Sequence, residues 1–352
     1  MAVDLETGKI IHDIKVFDVA EPQVRNPGLN THATPTPVVE DGRVYVHYGA
    51  YGTACLDTKT GKKLWERRDL NTNHEVRAGS SPIVDDDTIY LHFDGTDKQF
   101  VAALDKRTGK TRWLKKRDVD YDLDGKLSAL GFSKAEIEST KKKKPGDNRK
   151  SFATPTLITY QGKRQLISPG AEVTFSYDPD TGAELWRVRH PGMGWNVAAR
   201  PIFENGLVYS SSGVSRHLMA VQPSGTGDVT DTHVNWMVKG KDAPAIPSAL
   251  IVNDLIFLIT DEGFASCREA KTGRRLWRKR LRAGGGHWAS PVYADGKIYF
   301  SGQKGVVTVV AAAREFKLLA ENKFDGSFNA SPAVVGDGLI LRSFTDLYYI
   351  AR

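Results

Sequence analysis

The stretch Ala103-Leu104-Asp105-Lys106-Arg107-Thr108-Gly109-Lys110-Thr111-Arg112-Trp113 decides the fold, because the chain repeats its key letters at intervals. An acidic residue, two variable residues and Thr-Gly also occur from Asp4 to Gly8, Asp57 to Gly61, Asp178 to Gly182 and Glu269 to Gly273. Four residues after the glycine stand Trp65, Trp113, Trp186 and Trp277, and the first copy has His12 there. The acidic side chain can accept hydrogen bonds from the backbone that follows it, and glycine supplies positive φ, so the pattern predicts a tight turn between strands. The tryptophan is a large apolar filler on the next strand.

Upstream of each turn lies a second recurring unit: a small residue with proline, an apolar run, then an Asp-Gly-type turn. Its openings are Thr34-Pro35, Ser81-Pro82, Thr154-Pro155, Arg200-Pro201, Ser248-Ala249, Ser290-Pro291 and Ser331-Pro332. Asp-Gly between alternating strands, as in Asp41-Gly42 before Val44-Tyr45-Val46, is a hairpin signal. Each unit therefore reads strand A, hairpin, strand B, loop, strand C, Thr-Gly turn, strand D. Openings recur every forty to fifty residues or so, the period of a four-stranded propeller blade. A lone sheet of this kind cannot cover its own faces, and stacking neighbours around an axis solves that. The expectation is an all-β, single-domain β-propeller over residues 1–352, with four-stranded antiparallel blades and seven by count. The last unit stops after strand C, and residues 10–19 read as a strand D with no A to C before it. The two fragments are expected to pair and close the ring, removing exposed edges. The competing reading is eight blades in a longer native chain, since the chain starts in mid-repeat like a trimmed segment.

These motifs resemble the quinoprotein-alcohol-dehydrogenase-like propellers with pyrroloquinoline-quinone-like repeats, a group that includes the outer-membrane assembly lipoprotein and the polyvinyl-alcohol dehydrogenases. The carrying residues are Ala103 to Trp113 and Ser290-Pro291 to Ile298-Tyr299, and the likeness covers essentially the whole chain. It implies the fold strongly and function weakly, because one fold hosts many functions. Quinone-dependent members place adjacent cysteines beside the cofactor, with a calcium and an aspartate base. Here only Cys55 and Cys267 exist, in different blades, where equivalent positions lie beyond the roughly 7 Å a disulfide spans. No cofactor is therefore expected, and pyrroloquinoline quinone is disfavoured.

Composition sets few limits. The charge is +7, with hydrophobic content 40% and charged content 26%, ordinary for a chain that buries a core. The run Lys141-Lys142-Lys143-Lys144 reads as a solvated loop, so nucleic acid is not implied. No apolar stretch approaches the roughly 18 residues of a membrane helix. The native protein is expected in the periplasm or outside the cell, as a monomer.

The loops from strand D to the next A, and from B to C, should gather on one face at the channel mouth, where ligands bind most often. Trp195 and Trp288 fall there, in polar glycine-rich loops with Asn196 and His287. Such aromatics beside amide and imidazole groups suit a sugar-like or aromatic ligand. The same face should carry His32, His74, Arg77, Asp94, Asp97, Glu172, Arg216, Asp261 and Asn329, enough mixed charge to bind a polar ligand. No spacing among them marks a catalytic dyad or a zinc site, while His47 and His92 read as structural.

One insertion, residues 118–150, interrupts the period. Asp120, Asp122 and Asp124 with Gly125 form the first half of a calcium loop of the EF-hand kind, but the closing glutamate position holds Gly131. A degenerate loop is the favoured reading, with a live calcium site over residues 118–131 the sharper alternative. Ser133-Lys134-Ala135-Glu136 is a capping box, predicting a short helix to about residue 142. The functional expectation is a non-catalytic scaffold that contacts protein or glycan through the loop face. A quinone-dependent alcohol dehydrogenase is the alternative, and a polysaccharide-processing enzyme a further one.

Overall fold

The computed structural model describes residues 1–22, 30–143, 145–192, 194–282 and 284–351. Seven antiparallel sheets follow one another along the chain as the blades of a seven-blade β-propeller. Blade one holds Val38–Glu40, Arg43–His47, Thr53–Asp57 and Lys63–Arg67 as strands A to D. Blade two is Ile83–Asp85, Thr88–Asp94, Gln99–Asp105 and Thr111–Lys116. Blade three runs Thr156–Tyr160, Lys163–Pro169, Val173–Tyr177 and Glu184–Arg189. Blade four is Ile202–Glu204, Leu207–Ser211, His217–Val221 and Val234–Lys239. Leu250–Val252, Leu255–Ile259, Phe264–Glu269 and Arg275–Arg280 make blade five. Val292–Ala294, Lys297–Ser301, Val306–Ala311 and Leu318–Lys323 make blade six. Blade seven has three strands, Ala333–Val335, Gly338–Arg342 and Leu347–Ile350.

The sheets are buried on both faces, so alternate side chains along one strand serve two neighbours. In strand B of blade two, Ile89, Leu91 and Phe93 join Tyr45 and Cys55 of blade one, while Tyr90 packs with Leu166, Phe175 and Tyr177 of blade three. Four further clusters bridge blades three and four, four and five, five and six, and six and seven in the same way.

The Thr-Gly turns explain how the blades lock. In each copy the glycine N–H donates to the carbonyl of the acidic residue, and the threonine hydroxyl donates to the acidic side chain, at 2.8 Å in both the Thr60–Asp57 and Thr108–Asp105 pairs. The turn then docks on the tryptophan of the preceding blade. Trp65 Nε1 donates to the Lys106 carbonyl at 2.9 Å, Trp113 to Pro179 at 2.9 Å and Trp236 to Ala270 at 3.0 Å, each acceptor being the residue after the acid. The turn glycine lies flat on the indole: a Cβ at Gly109 or Gly182 would stand 2.7 Å from the ring. His12 makes the equivalent contact to the Thr58 carbonyl at 3.2 Å. Strands A of blades three to seven touch in succession. The backbone N–H of Thr36, Ser81, Ser248 and Ser290 each donates at 2.9 Å to the hydroxyl that opens the next blade.

Three details differ from the sequence reading. The first blade opens at Thr36-Pro37, not Thr34-Pro35, because only the later pair leads straight into Val38 and reaches Ser81. The N-terminal strand is short, and it does not complete the last blade: Ile10–His12 pairs with Ala2–Val3, and Leu347–Ile350 has Gly338–Arg342 as its neighbour. Turn formation by Asp4 to Gly8 captures that strand locally, leaving Ile10, Ile11, Leu347 and Tyr349 exposed. The calcium-type loop folds as a helix start. Helix α1 (Leu123–Ala129) begins inside it, with the Asp122 side chain accepting from Gly125 N at 3.1 Å. Asp120 accepts from Asp122 N, and Asp124 pairs with Lys141 at 3.0 Å. The described residues hold no group of three or more His, Cys, Asp or Glu placed to bind a metal. The capping box forms as expected, with Ser133 N donating to Glu136 at 2.8 Å at the head of helix α2 (Lys134–Lys143).

Docking of turn on tryptophan sets a testable contrast. Gly8 and Gly182 share a left-handed φ, but a Cβ at Gly8 meets nothing. Gly8→Ala should cost about 1 kcal/mol of backbone strain, whereas Gly182→Ala must also displace Trp113 and should cost about 3 kcal/mol. Urea denaturation of the two variants measures the difference, and equal losses would refute the docking role.

Candidate functional site

The loop face is built by hydrogen bonds between D-to-A and B-to-C loops. Glu172 N donates to Gly194 O, His190 N to Glu172 O, Val214 N to Trp195 O, and His287 N to Asp261 O. The candidate residues named from sequence are set around this face in four groups.

Between blades one and two, His32 stacks edge-on against Tyr51 at 5.3 Å beside Arg77, and burial and then Arg77 lower its pKa. Arg77 donates to the Asn30 carbonyl, and Asn30 returns a bond to Ala78 O at 3.1 Å. His74 is buried against Gly49, and burial drives its pKa down to about 4. Asp97 accepts from Thr72 Oγ1 and Asn73 N, both at 2.7 Å, tying the two loops together. An open hollow of about 300 Å³ lies here against Tyr51, Asn73 and Asp97.

The second group sits over blades two to four, beneath the insertion. Asp94 is wholly buried and holds Arg117 Nε at 2.8 Å and His92 Nε2 at 2.5 Å, while His92 Nδ1 lies 2.7 Å from Ala153 O. Arg117 also donates to Ser168 Oγ at 2.9 Å. Burial pushes the Asp94 carboxyl up, but the Arg117 guanidinium and His92 more than reverse that, leaving it below the usual carboxylate range. Glu172 is paired with Lys126 of helix α1, and burial still raises its pKa. Tyr121 is half-buried nearby, its ring 5.6 Å from the Arg149 guanidinium. Asn196 N donates to Lys150 O at 2.8 Å, and Lys150 pairs with Glu75 at 3.3 Å. Trp195 is half-buried on the rim beside them.

In the third group Arg216 reaches Glu262 at 2.6 Å and Asp261 at 3.8 Å. His287 is buried next to Gly263, with its pKa lowered to about 4 by burial, and Trp288 is half-buried. In the fourth, Asn329 accepts from Gln303 Nε2 at 2.9 Å. Arg77, Glu172, Asn196 and Arg216 all have left-handed backbone, with φ of 73°, 65°, 54° and 54°. Such φ values are uncommon outside glycine and cluster where surrounding contacts over-determine a loop.

Sequence reasoning missed Arg117, Lys126, Lys150, Glu262 and Gln303. Nothing in Leu114-Lys115-Lys116-Arg117 distinguishes the one arginine that turns inward. Glu262 and Gln303, however, sit at the B-to-C loop position already credited to Asp261, so a register argument could have found them. Cys55 and Cys267 are buried free thiols facing Trp65 and Trp277 across their own sheets. Burial raises both pKa values, that of Cys267 to about 12. They cannot supply the adjacent pair that the resemblance attaches to a quinone.

The family model described as outer membrane protein assembly factor BamB matches residues 1–118 and 97–351. Tetrathionate hydrolase of Acidithiobacillus ferrooxidans is 24% identical over 291 residues, covering 77% of this chain and 53% of that protein. Quinoprotein ethanol dehydrogenase of Pseudomonas aeruginosa is 31% identical over 164 residues, covering 42% of this chain and 22% of its own length. The chain thus spans about half of the first relative and about a fifth of the second. Among solved structures, BamB from Moraxella catarrhalis superposes with TM-score 0.61 at 15% identity, over 88% of this chain and 82% of that one. A quinohemoprotein alcohol dehydrogenase from Pseudomonas putida gives 0.58 at 13%, over 88% and 62%. These two likenesses establish the fold.

Two measurements follow from the buried groups. Arg117→Met leaves the buried Asp94 with His92 as its remaining partner and no permanent counter-charge, and should cost about 3–5 kcal/mol in urea denaturation. His47 and His190 have pKa values lowered to about 3 by burial, His74 and His287 to about 4. The unfolded chain takes up these protons first, so stability should be full above pH 6.5 and fall as pH drops below it. Each group should remove about 1.4 kcal/mol per pH unit. His47→Gln with His190→Gln should flatten that slope, and a slope beginning only in the carboxylate range would contradict the assignment.

Proposed function

The chain belongs to the family of outer membrane protein assembly factor BamB, and from that premise we propose that it is a non-catalytic scaffold that docks a protein partner through its loop face. One observation carries the reading. The charged side chains of the second and third groups are paired: Asp94 with Arg117 and His92, Glu172 with Lys126, Asp261 and Glu262 with Arg216. An acid–base catalyst needs a titrating group within reach of the substrate proton, and the Asp94–His92–Arg117 set is sealed from solvent. What the face offers outward is a rim with two half-buried indoles, Trp195 and Trp288. Tryptophans anchored at such a rim are the usual centres of binding energy in protein interfaces. A glycan stacked on the same indoles is the lesser form of this reading. The name of the related assembly factor supports a place outside the cytoplasm, and no helix of the described residues is long and apolar enough to cross a membrane.

The quinoprotein ethanol dehydrogenase relatives favour a second reading, a quinone-dependent alcohol dehydrogenase. The separated, buried cysteines argue against it. Incubation with pyrroloquinoline quinone and calcium, followed by dye-linked ethanol oxidation, discriminates the two. The scaffold reading expects no turnover above the blank; calcium-dependent turnover would overturn it. A photo-crosslinking residue at position 288 should yield a discrete protein adduct in the native host, and one at the exposed Leu64 of blade one should not.

A further inference from the structure

Among the described residues, the rim of blade five carries more cations than it has acids to pair with them. Residues 274–282, Arg-Arg-Leu-Trp-Arg-Lys-Arg-Leu-Arg, contain six basic residues and no acid. Asp242 serves the first part of the run, pairing with Arg275 at 2.8 Å and Arg278 at 3.1 Å, besides Arg268. Arg274 pairs with Glu269. Arg278 also lies 3.8 Å over the Phe264 ring, and Arg280 lies 5.5 Å from the same ring, which fixes its direction. The acids of the adjoining B-to-C loop, Asp261 and Glu262, are taken up by Arg216. Among the described residues Arg280, Arg282 and Lys304 have no ion-pair partner.

The two unpaired arginines line one hollow, and the Lys304 stem lies beside it. Arg280, Leu281, Arg282 and Gly284 line an open concavity of about 480 Å³ where strand D of blade five enters the loop to blade six. Lys304 comes in from the B-to-C loop of blade six and lies along the glycines. A Cβ at Gly284 would stand 3.2 Å from its Cδ, and one at Gly285 3.2 Å from its Cγ. Both glycines have left-handed φ, 64° and 69°, so the loop is bare on the side that receives the lysine stem. Leu281 N donates to Gly263 O at 2.9 Å, holding the floor to the body of the blade.

We propose that this hollow binds a phosphate or sulfate group. Two guanidinium forks suit the paired oxygens of such an oxyanion, and an ammonium adds a third point of charge. Three clustered cations without counter-charge match a multiply charged group better than a single carboxylate. The volume exceeds that of a bare ion and leaves room for what carries it, a sugar or lipid headgroup. This site is separate from the paired residues of the other loop groups, and does not depend on the scaffold reading.

Calorimetric titration with inorganic pyrophosphate at low salt should give saturable binding, and phosphatidylcholine vesicles doped with phosphatidic acid should co-sediment with the protein. Arg280→Gln with Arg282→Gln should weaken binding about tenfold. Lys142→Gln with Lys143→Gln, which removes the same charge from the exposed helix α2, should change it less than about twofold if the site is local. All four side chains are exposed, and unchanged thermal unfolding verifies that the variants fold. Binding of vesicles without pyrophosphate keeps the proposal and assigns the group to a headgroup; pyrophosphate without vesicles assigns it to a free ion. Failure of both, equal loss in the two double variants, or binding of hexaglutamate alone would overturn it.

Discussion

The propeller depends on an indole of one blade seated on the Thr-Gly turn of the next. The contact joins three features of one sequence motif. The acid fixes the turn, the glycine makes it flat enough to lie on a ring, and the carbonyl after the acid is left free to accept the indole N–H. Each hydrogen bond is worth roughly 1 kcal/mol net, so the bond alone does not hold the ring together. Its value is orientation. A large buried ring that accepts only one pose sets the angle between successive sheets, and the apolar clusters between blades supply the bulk of the free energy.

A second line of contacts joins successive strand-A openings, which pass an N–H to the next hydroxyl. Each sheet is thereby located at its strand-A and strand-D margins. Both lines depart from their rule in the same sector. Arg200 has no hydroxyl to receive Thr154, and the gap is filled by Arg200 Nε and Pro201 O, both on Thr156 Oγ1. Blade four has no Thr-Gly turn for Trp186, whose N–H goes to Gln165 instead, and Gln165 in turn holds Pro223. Gly227–Asp228 then pairs in parallel with strand D of blade three as a fifth strand. The insertion with helices α1 and α2 also enters there. Repeat proteins keep their regular parts for stability, and the departures here fall in and around blades three and four.

The repeat was readable in the sequence because a turn is a local event: five residues determine it wherever they occur. The tryptophan positions followed from the same period, and their partners did not, since docking joins residues thirty-four to sixty-six apart. The helix at Lys134–Lys143 followed from its cap, whereas the Asp120–Asp124 segment did not yield to motif matching. Gly131 stands where such a loop has its closing carboxylate, and Asp122 caps helix α1. Ring closure was misread for a comparable reason. Two half-blades suggest one whole blade by arithmetic, yet a strand that directly follows its own turn pairs within the hairpin first. The loop-face residues could be placed from topology, but not their partners. Whether Asp94 is a catalytic base or half of a buried ion pair depends on one arginine at the end of another strand.

Charge is distributed by the same logic of local pairing. The lysine run at residues 141–144 looks like the source of the surplus of +7, but Lys141 is matched by Asp124 and Glu138. On the loop face, Arg117, Lys126, Lys150 and Arg216 each have a carboxylate. Blade five differs because one aspartate, Asp242, answers three arginines and the run continues past it. A fold stabilised by paired charge gains nothing from leaving three cations together beside glycines, since their mutual repulsion is a cost. An external anion removes that cost when it binds.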